Sequence, residues 1–135
     1  MANKVLDSWA LLAFFEDEPA AEEVEKLLAK ADHGTHKLLL SVVNWGEVYY
    51  GTMRKVSQEA AEQKAREIAI LPIELIPVDA DLRLVRQAAI YKASGKLAYA
   101  DAFAAALAKL NNAELVTGDR DFKAVEGEIR IAWLK

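Results

Sequence analysis

Apolar residues along this chain switch between strand-like runs and helical spacing, and the switches mark out its elements. Residues 4–6 form a short apolar strand that stops at Asp7, and the run Trp9-Ala10-Leu11-Leu12-Ala13-Phe14-Phe15 reads as a buried first helix. Glu16-Asp17-Glu18-Pro19 interrupts it, and Pro19 suits the first turn of a new helix. Ala20, Ala21, Val24, Leu27, Leu28 and Ala31 then recur at helical spacing, while Glu22, Glu23, Glu25 and Lys26 face away. The Asp32-His33-Gly34-Thr35 cluster ends that helix, and His33 and His36 are expected in a surface loop.

Residues 37–42 read as a second strand, with Asn44 as the N-cap of a helix running through Glu47 to about Met53. Ser57 opens a polar-rich helix that ends before Pro72. Residues 73–78 form a third, short strand, which proline at both ends places near a sheet edge. Asp79 is expected to cap the next helix, whose apolar positions are Leu82, Val85 and Ala89 and which ends near Ser94-Gly95. An alanine-rich helix follows over 98–110, then a strand over 114–117, a turn at Gly118–Phe122 and a terminal strand over 129–133. Strands alternating with helices predict one α/β domain over residues 1–135, with a mostly parallel sheet of four to five strands between two helical layers.

Composition narrows the picture. At 53% apolar and 28% charged residues the 135-residue chain can bury a real core. With no cysteine it forms neither disulfides nor thiolate zinc sites. No apolar stretch approaches the roughly 18–20 residues of a membrane span, and no signal-peptide pattern follows Met1, so a cytoplasmic protein is expected. The net charge of −4 does not resemble that of a general nucleic-acid binder, unless several acids are metal ligands and bound cations reverse the local field.

Four acids stand at strand ends or in the first turns of helices: Asp7, Glu47, Asp101 and Asp119. Each has an ordinary explanation. Asp7 suits a helix N-cap, Glu47 an ion pair with Arg54 or plain exposure, and Asp101 the positive end of a helix dipole, worth about 0.3–1 kcal/mol. Asp119 and Asp121 flank Arg120 in a turn, where aspartate is common. Together they say more. In a parallel sheet the strands' carboxyl ends share one edge, where α/β proteins place their sites. Acids gathered there resist ionising unless a cation neutralises them, and hard ions such as Mg²⁺ or Mn²⁺ suit oxygen ligands. The small polar residues Ser8, Ser41, Asn44 and Thr117 lie in the same segments, placed to orient ligands. Metal-assisted phosphodiester hydrolysis is the chemistry this set suggests. Basic residues fall in two groups, Arg54-Lys55 and Arg83, Arg86, Lys92 and Lys96, and read either as solvated helix charge or as phosphate-positioning contacts.

Val5-Leu6-Asp7-Ser8, Ser41 through Glu47, Tyr99-Ala100-Asp101-Ala102-Phe103-Ala104-Ala105-Ala106 and Leu115-Val116-Thr117-Gly118-Asp119-Arg120-Asp121-Phe122 resemble, in this order, the motifs of the PIN-domain family and, within it, the VapC toxins of VapBC toxin–antitoxin pairs. The resemblance covers essentially the whole chain. It implies a three-layer α/β/α sandwich and an endonuclease for single-stranded or structured RNA that uses one or two Mg²⁺ or Mn²⁺ ions. It assigns the catalytic and metal-binding positions to Asp7, Glu47, Asp101 and Asp119, an accessory place to Asp121, and support to Ser8, Ser41 and Thr117. Lys96, Arg86 and Arg54 become the RNA-contacting candidates. A homodimer and a VapB-type antitoxin are implied as partners, and Trp9 departs from the small residue frequent at its position. A phosphoacceptor receiver would need an acidic neighbour beside Asp7, and a haloacid-dehalogenase phosphatase an aspartate where Trp9 stands. A PIN-like domain that only binds RNA or protein, or a nuclease without an antitoxin, is the remaining alternative.

Overall fold

The computed structural model describes residues 2–135. Its strands are β1 (Ala2–Leu6), β2 (His36–Ser41), β3 (Ile73–Ile76), β4 (Glu114–Thr117) and β5 (Ile131–Trp133). They form one five-stranded sheet in the order β3-β2-β1-β4-β5, with every neighbouring pair parallel. The connections run through α1 (Ser8–Phe15), α2 (Ala21–Asp32), α3 (Val42–Lys55), α4 (Gln58–Ala69), α5 (Arg83–Ala93), α6 (Tyr99–Leu110) and a 3₁₀ turn over Arg120–Val125.

Strand side chains alternate between faces, so adjacent apolar residues feed two separate cores. Val5, Leu39 and Leu115 join the cluster built with α5 and α6, whereas Leu6, Leu38, Leu40 and Val116 join the cluster built with α1 and α2. This explains why the strands read as continuous apolar runs: a parallel sheet is covered on both sides. Helix α6 lies deepest, with every residue from Asp101 to Ala108 buried. Its alanines let it approach the sheet and α5 closely while favouring the helix on their own account. No helix among the described residues is long and apolar enough to cross a membrane.

The strand order decides where a site can form. From β1 the chain builds outward through β2 and β3 on one side, then returns to place β4 and β5 on the other. The reversal lies between β1 and β4, and at their carboxyl ends it opens the crevice in which α/β folds bind ligands.

Several expectations need correction. His36 is not in a surface loop: it opens β2, is 5% exposed, and its Nε2 lies 3.1 Å from the Leu27 carbonyl. Helix α3 starts before Asn44, because the hydroxyl of Ser41 at the end of β2 already accepts the Val43 N–H at 3.1 Å. Asp79 does not cap α5. The N-cap is Leu82, left-handed at φ 67° and without a side-chain bond, while Asp81 accepts the Arg83 N–H at 3.1 Å. The later start turns the helix, so Leu84, Ala88 and Tyr91 are buried and Leu82 is exposed. The edge position of β3 and the Ser57 cap of α4 agree with the sequence.

Ala105 is fully buried between the sheet and the helices around α6. Replacing it with leucine should cost about 1–3 kcal/mol by overpacking. The expected result is a lower urea midpoint with an unchanged m-value.

Candidate metal centre

The β1–β4 register pairs Leu6 with Val116, which brings Asp7 and Thr117 side by side at the sheet's carboxyl edge. Asp7 is 1% exposed and both its oxygens are engaged. Oδ1 accepts the Ala10 N–H at 2.9 Å, capping α1, and Oδ2 accepts the Thr117 hydroxyl at 2.6 Å. The capping role open to Asp7 in the sequence is thus realised, and the cap holds the carboxylate beside Thr117 at the sheet edge. The connections continue along the turn after β4. Thr117 Oγ1 accepts the Asp119 N–H at 3.0 Å, and Asp119 Oδ1 accepts the Asp121 N–H at 3.0 Å.

Asp101 enters from the first turn of α6. Asp101, Asp119 and Asp121 each bring one carboxylate oxygen within 4.8 Å of the others. Asp101 is 9% exposed, Asp119 half-buried and Asp121 exposed, so the acids run from the interior outward. Among the described residues no ion pair reaches any of them. Arg120, between two of the acids in sequence, instead lies over the Trp133 ring at 4.8 Å.

This crowding has an electrostatic consequence. Burial pushes the Asp7 carboxyl up to about 7, despite the hydrogen bonds from Thr117 and Ala10, and the charges of Asp101 and Asp119 add to the rise. Burial also pushes Asp101 up to about 7, with help from Glu47, Asp119 and Asp121. Removal from water and like charge both disfavour the ionised form.

Glu47 is held by neither alternative that the sequence offered. Its Oε1 accepts the Ser8 hydroxyl at 2.7 Å and the Asn44 amide at 3.2 Å, while Arg54 lies over the Tyr50 ring at 5.2 Å. Ser8 therefore joins α1 to α3 at the site. Asn44, fully buried, also donates to the Ala100 carbonyl at 3.1 Å, linking Glu47 to the helix that carries Asp101. Its Oδ1 finds no partner among the described residues. The sequence places Asn44 among the polar residues that could orient ligands, three residues before Glu47 on one helix face, but nothing in it signals the reach to Ala100. Ser41 is buried, and its hydroxyl caps α3. Arg86 is exposed on α5 and Lys96 in the loop before α6, and no contact joins Arg54, Arg86 or Lys96 to the acids among the described residues.

The donor set fits a hard divalent cation: aspartate oxygens from separate segments converge, with no cationic side chain paired to them among the described residues. Among the described residues, Asp101, Asp119 and Asp121 are the group that could hold one. Asp7, buried and bonded on both oxygens, feels the charges of Asp101 and Asp119, and Glu47 bears on Asp101 through its charge.

Comparison with known proteins agrees with this architecture. The chain resembles VapBC2 from Rickettsia felis, solved with a promoter DNA fragment, at a TM-score of 0.73 and 18% identity over 98% of this chain and 99% of that one. The DNA-bound VapBC of Salmonella typhimurium gives 0.74 and 16%, with 98% of each chain covered. VapC20 of Mycobacterium tuberculosis, a toxin that cleaves the sarcin–ricin loop, gives 0.70 and 19% over 90% of this chain and 94% of that one. At such identities the likeness is one of fold. No curated protein matches in sequence. The PIN domain model matches residues 4–128, which span every acid described above, and the chain belongs to the PIN-domain family.

Proposed function

We propose that this protein is a divalent-metal-dependent endoribonuclease and the toxin of a VapBC-type pair, restrained by a VapB-type antitoxin. The observation that carries the reading is the convergence of Asp101, Asp119 and Asp121 within 4.8 Å, with no cationic partner among the described residues, at the switch point of a PIN fold. The VapBC structures that share this fold support the toxin assignment.

A bound Mg²⁺ or Mn²⁺ would supply charge stabilisation for the phosphodiester and make water a stronger nucleophile at neutral pH. The chain's own residues do the positioning. Asp101, Asp119 and Asp121 would present the oxygens, and a cation held there would favour the ionised form of Asp101, whose carboxyl burial pushes up to about 7. Asp7 holds Thr117, which in turn holds the backbone of Asp119. Ser8 and Asn44 fix the Glu47 carboxylate against rotation, so its charge stays directed at Asp101. The acids repel an approaching phosphate backbone, so RNA binding needs both the cation and basic contacts, for which Lys96, Arg86 and Arg54 are the candidates. The exposed apolar residues Tyr50 and Met53 on α3 and Val56 at its C-cap suit a homodimer face or the groove for an antitoxin helix.

The direct test is cleavage of single-stranded and structured RNAs by purified protein with Mg²⁺ or Mn²⁺, against an EDTA control. Activity should vanish in EDTA and in Asp101→Asn, and cleavage that survives either would sink the mechanism. Expressed in a bacterial host without an antitoxin, the chain should arrest growth while Asp101→Asn does not. An active nuclease that leaves growth untouched would remove the toxin reading alone. Thr117→Val should weaken Mn²⁺ binding or activity by about 10–100-fold through the freed Asp119 backbone.

Stability should also depend on pH. Asp7 and Asp101 have folded-state values near 7, above the ordinary 3.8, so the folded state holds more protons than the unfolded one between these limits. The metal-free protein should therefore lose stability as pH rises from about 4 to 7. Melting temperatures in EDTA should fall across that window, and saturating Mn²⁺ should reverse the fall near pH 7. A flat profile in EDTA would contradict the electrostatics.

A further inference from the structure

We propose that Trp9 is a positioning residue of this centre, acting through Gly118 to hold the turn that carries Asp119; this rests on the metal-centre reading above. Trp9 stands two residues after Asp7 at the start of α1, half-buried against the core formed with α1 and α2. Gly118 stands between Thr117, which donates to Asp7, and Asp119, which supplies a cluster oxygen. A Cβ placed on Gly118 would fall 2.5 Å from Trp9 Cζ3 and 2.6 Å from Cζ2, and closer still to Cη2. Carbon atoms settle at about 3.5–4.0 Å. The six-membered ring of the indole fills the space that any side chain at 118 would need.

Two observations make this contact specific. At each of the other glycines an added Cβ meets nothing within 4 Å among the described residues. Gly118 is also not among the glycines with positive φ, so its backbone would accept alanine if the indole were absent. The requirement for glycine comes from the ring, and the two residues form a matched pair.

The pair fastens the same two segments that the Asp7–Thr117 hydrogen bond joins, one residue further along the turn. The hydrogen bond fixes Thr117. The ring fixes the backbone of Gly118, which leads directly into the Asp119 N–H bonded to Thr117 Oγ1. Displacing that backbone would carry the Asp119 carboxylate away from Asp101 and Asp121.

The test is Mn²⁺ affinity by titration calorimetry without RNA, alongside melting temperature in EDTA, for wild type, Gly118→Ala, Trp9→Leu and the double variant. Gly118→Ala should weaken Mn²⁺ binding about tenfold or more, within the range for residues that orient ligands, and Trp9→Leu severalfold. In the double variant the losses should not add, because the shorter leucine side chain leaves room for the new methyl, so affinity should match or exceed that of Gly118→Ala. Wild-type Mn²⁺ affinity in both single variants, even with lowered melting temperatures, would reduce the pair to packing and overturn the proposal. Additive losses would overturn it too. If Gly118→Ala does not fold, Trp9→Leu decides: weakened Mn²⁺ binding supports the proposal and wild-type affinity overturns it. Failure of the wild-type protein itself to bind Mn²⁺ would instead remove the metal-centre reading on which the proposal stands.

Discussion

The parallel pairing of β1 with β4 is the constraint on which the rest of the molecule turns. The strands lie far apart in sequence, yet their register sets Leu6 against Val116 and so makes Asp7 and Thr117 neighbours. From that single adjacency follow the bond from Thr117 to Asp7 and the placement of the Asp119 turn, while the other oxygen of Asp7 caps α1 locally. A slip of one residue would send the alternating apolar side chains into the wrong layers and turn Asp7 away from Thr117. Core packing and site geometry are therefore set by the same register.

The centre gathers like charge where water is scarce, and the fold tolerates this because hydrogen bonds serve the outlying members. Asp7 has two donors and Glu47 has two, whereas Asp101, in the middle, accepts none from the described residues. Its direction comes from the buried alanine helix that carries it. The protein thus leaves unsatisfied the one deeply placed carboxylate that faces the cluster, and an external cation is the natural completion of its coordination.

Much of this was legible in the sequence because it rests on local pattern. The strands, the alanine-rich α6, the Ser57 cap and the edge position of β3 all follow from spacing, propensity or proline. What stayed hidden depended on long-range contacts or on competition between plausible caps. Ser41 rather than Asn44 starts α3 because the end of β2 holds Ser41 extended, and Asn44 is then free to bridge Glu47 and Ala100. Asp79 looked like the cap of α5, but the chain turns left-handed at Leu82 and rotates the buried face of the helix. Asp121 read as accessory on sequence, and only the turn geometry places its oxygen beside those of Asp101 and Asp119. The meeting of Trp9 with Gly118 spans most of the chain, and no periodicity signals it.

The graded exposure of the acids, from Asp121 at the surface through Asp119 to Asp101, has a consequence for how an ion would arrive. A divalent cation travels with tightly held water, and Mg²⁺ gives that water up reluctantly. An exposed outer carboxylate could receive the hydrated ion whole, and the deeper oxygens would replace its waters in turn. Such a staircase spreads the dehydration barrier over small steps. It would also turn the exposed end of the acid cluster, Asp121, toward solvent, the side open to an approaching phosphodiester.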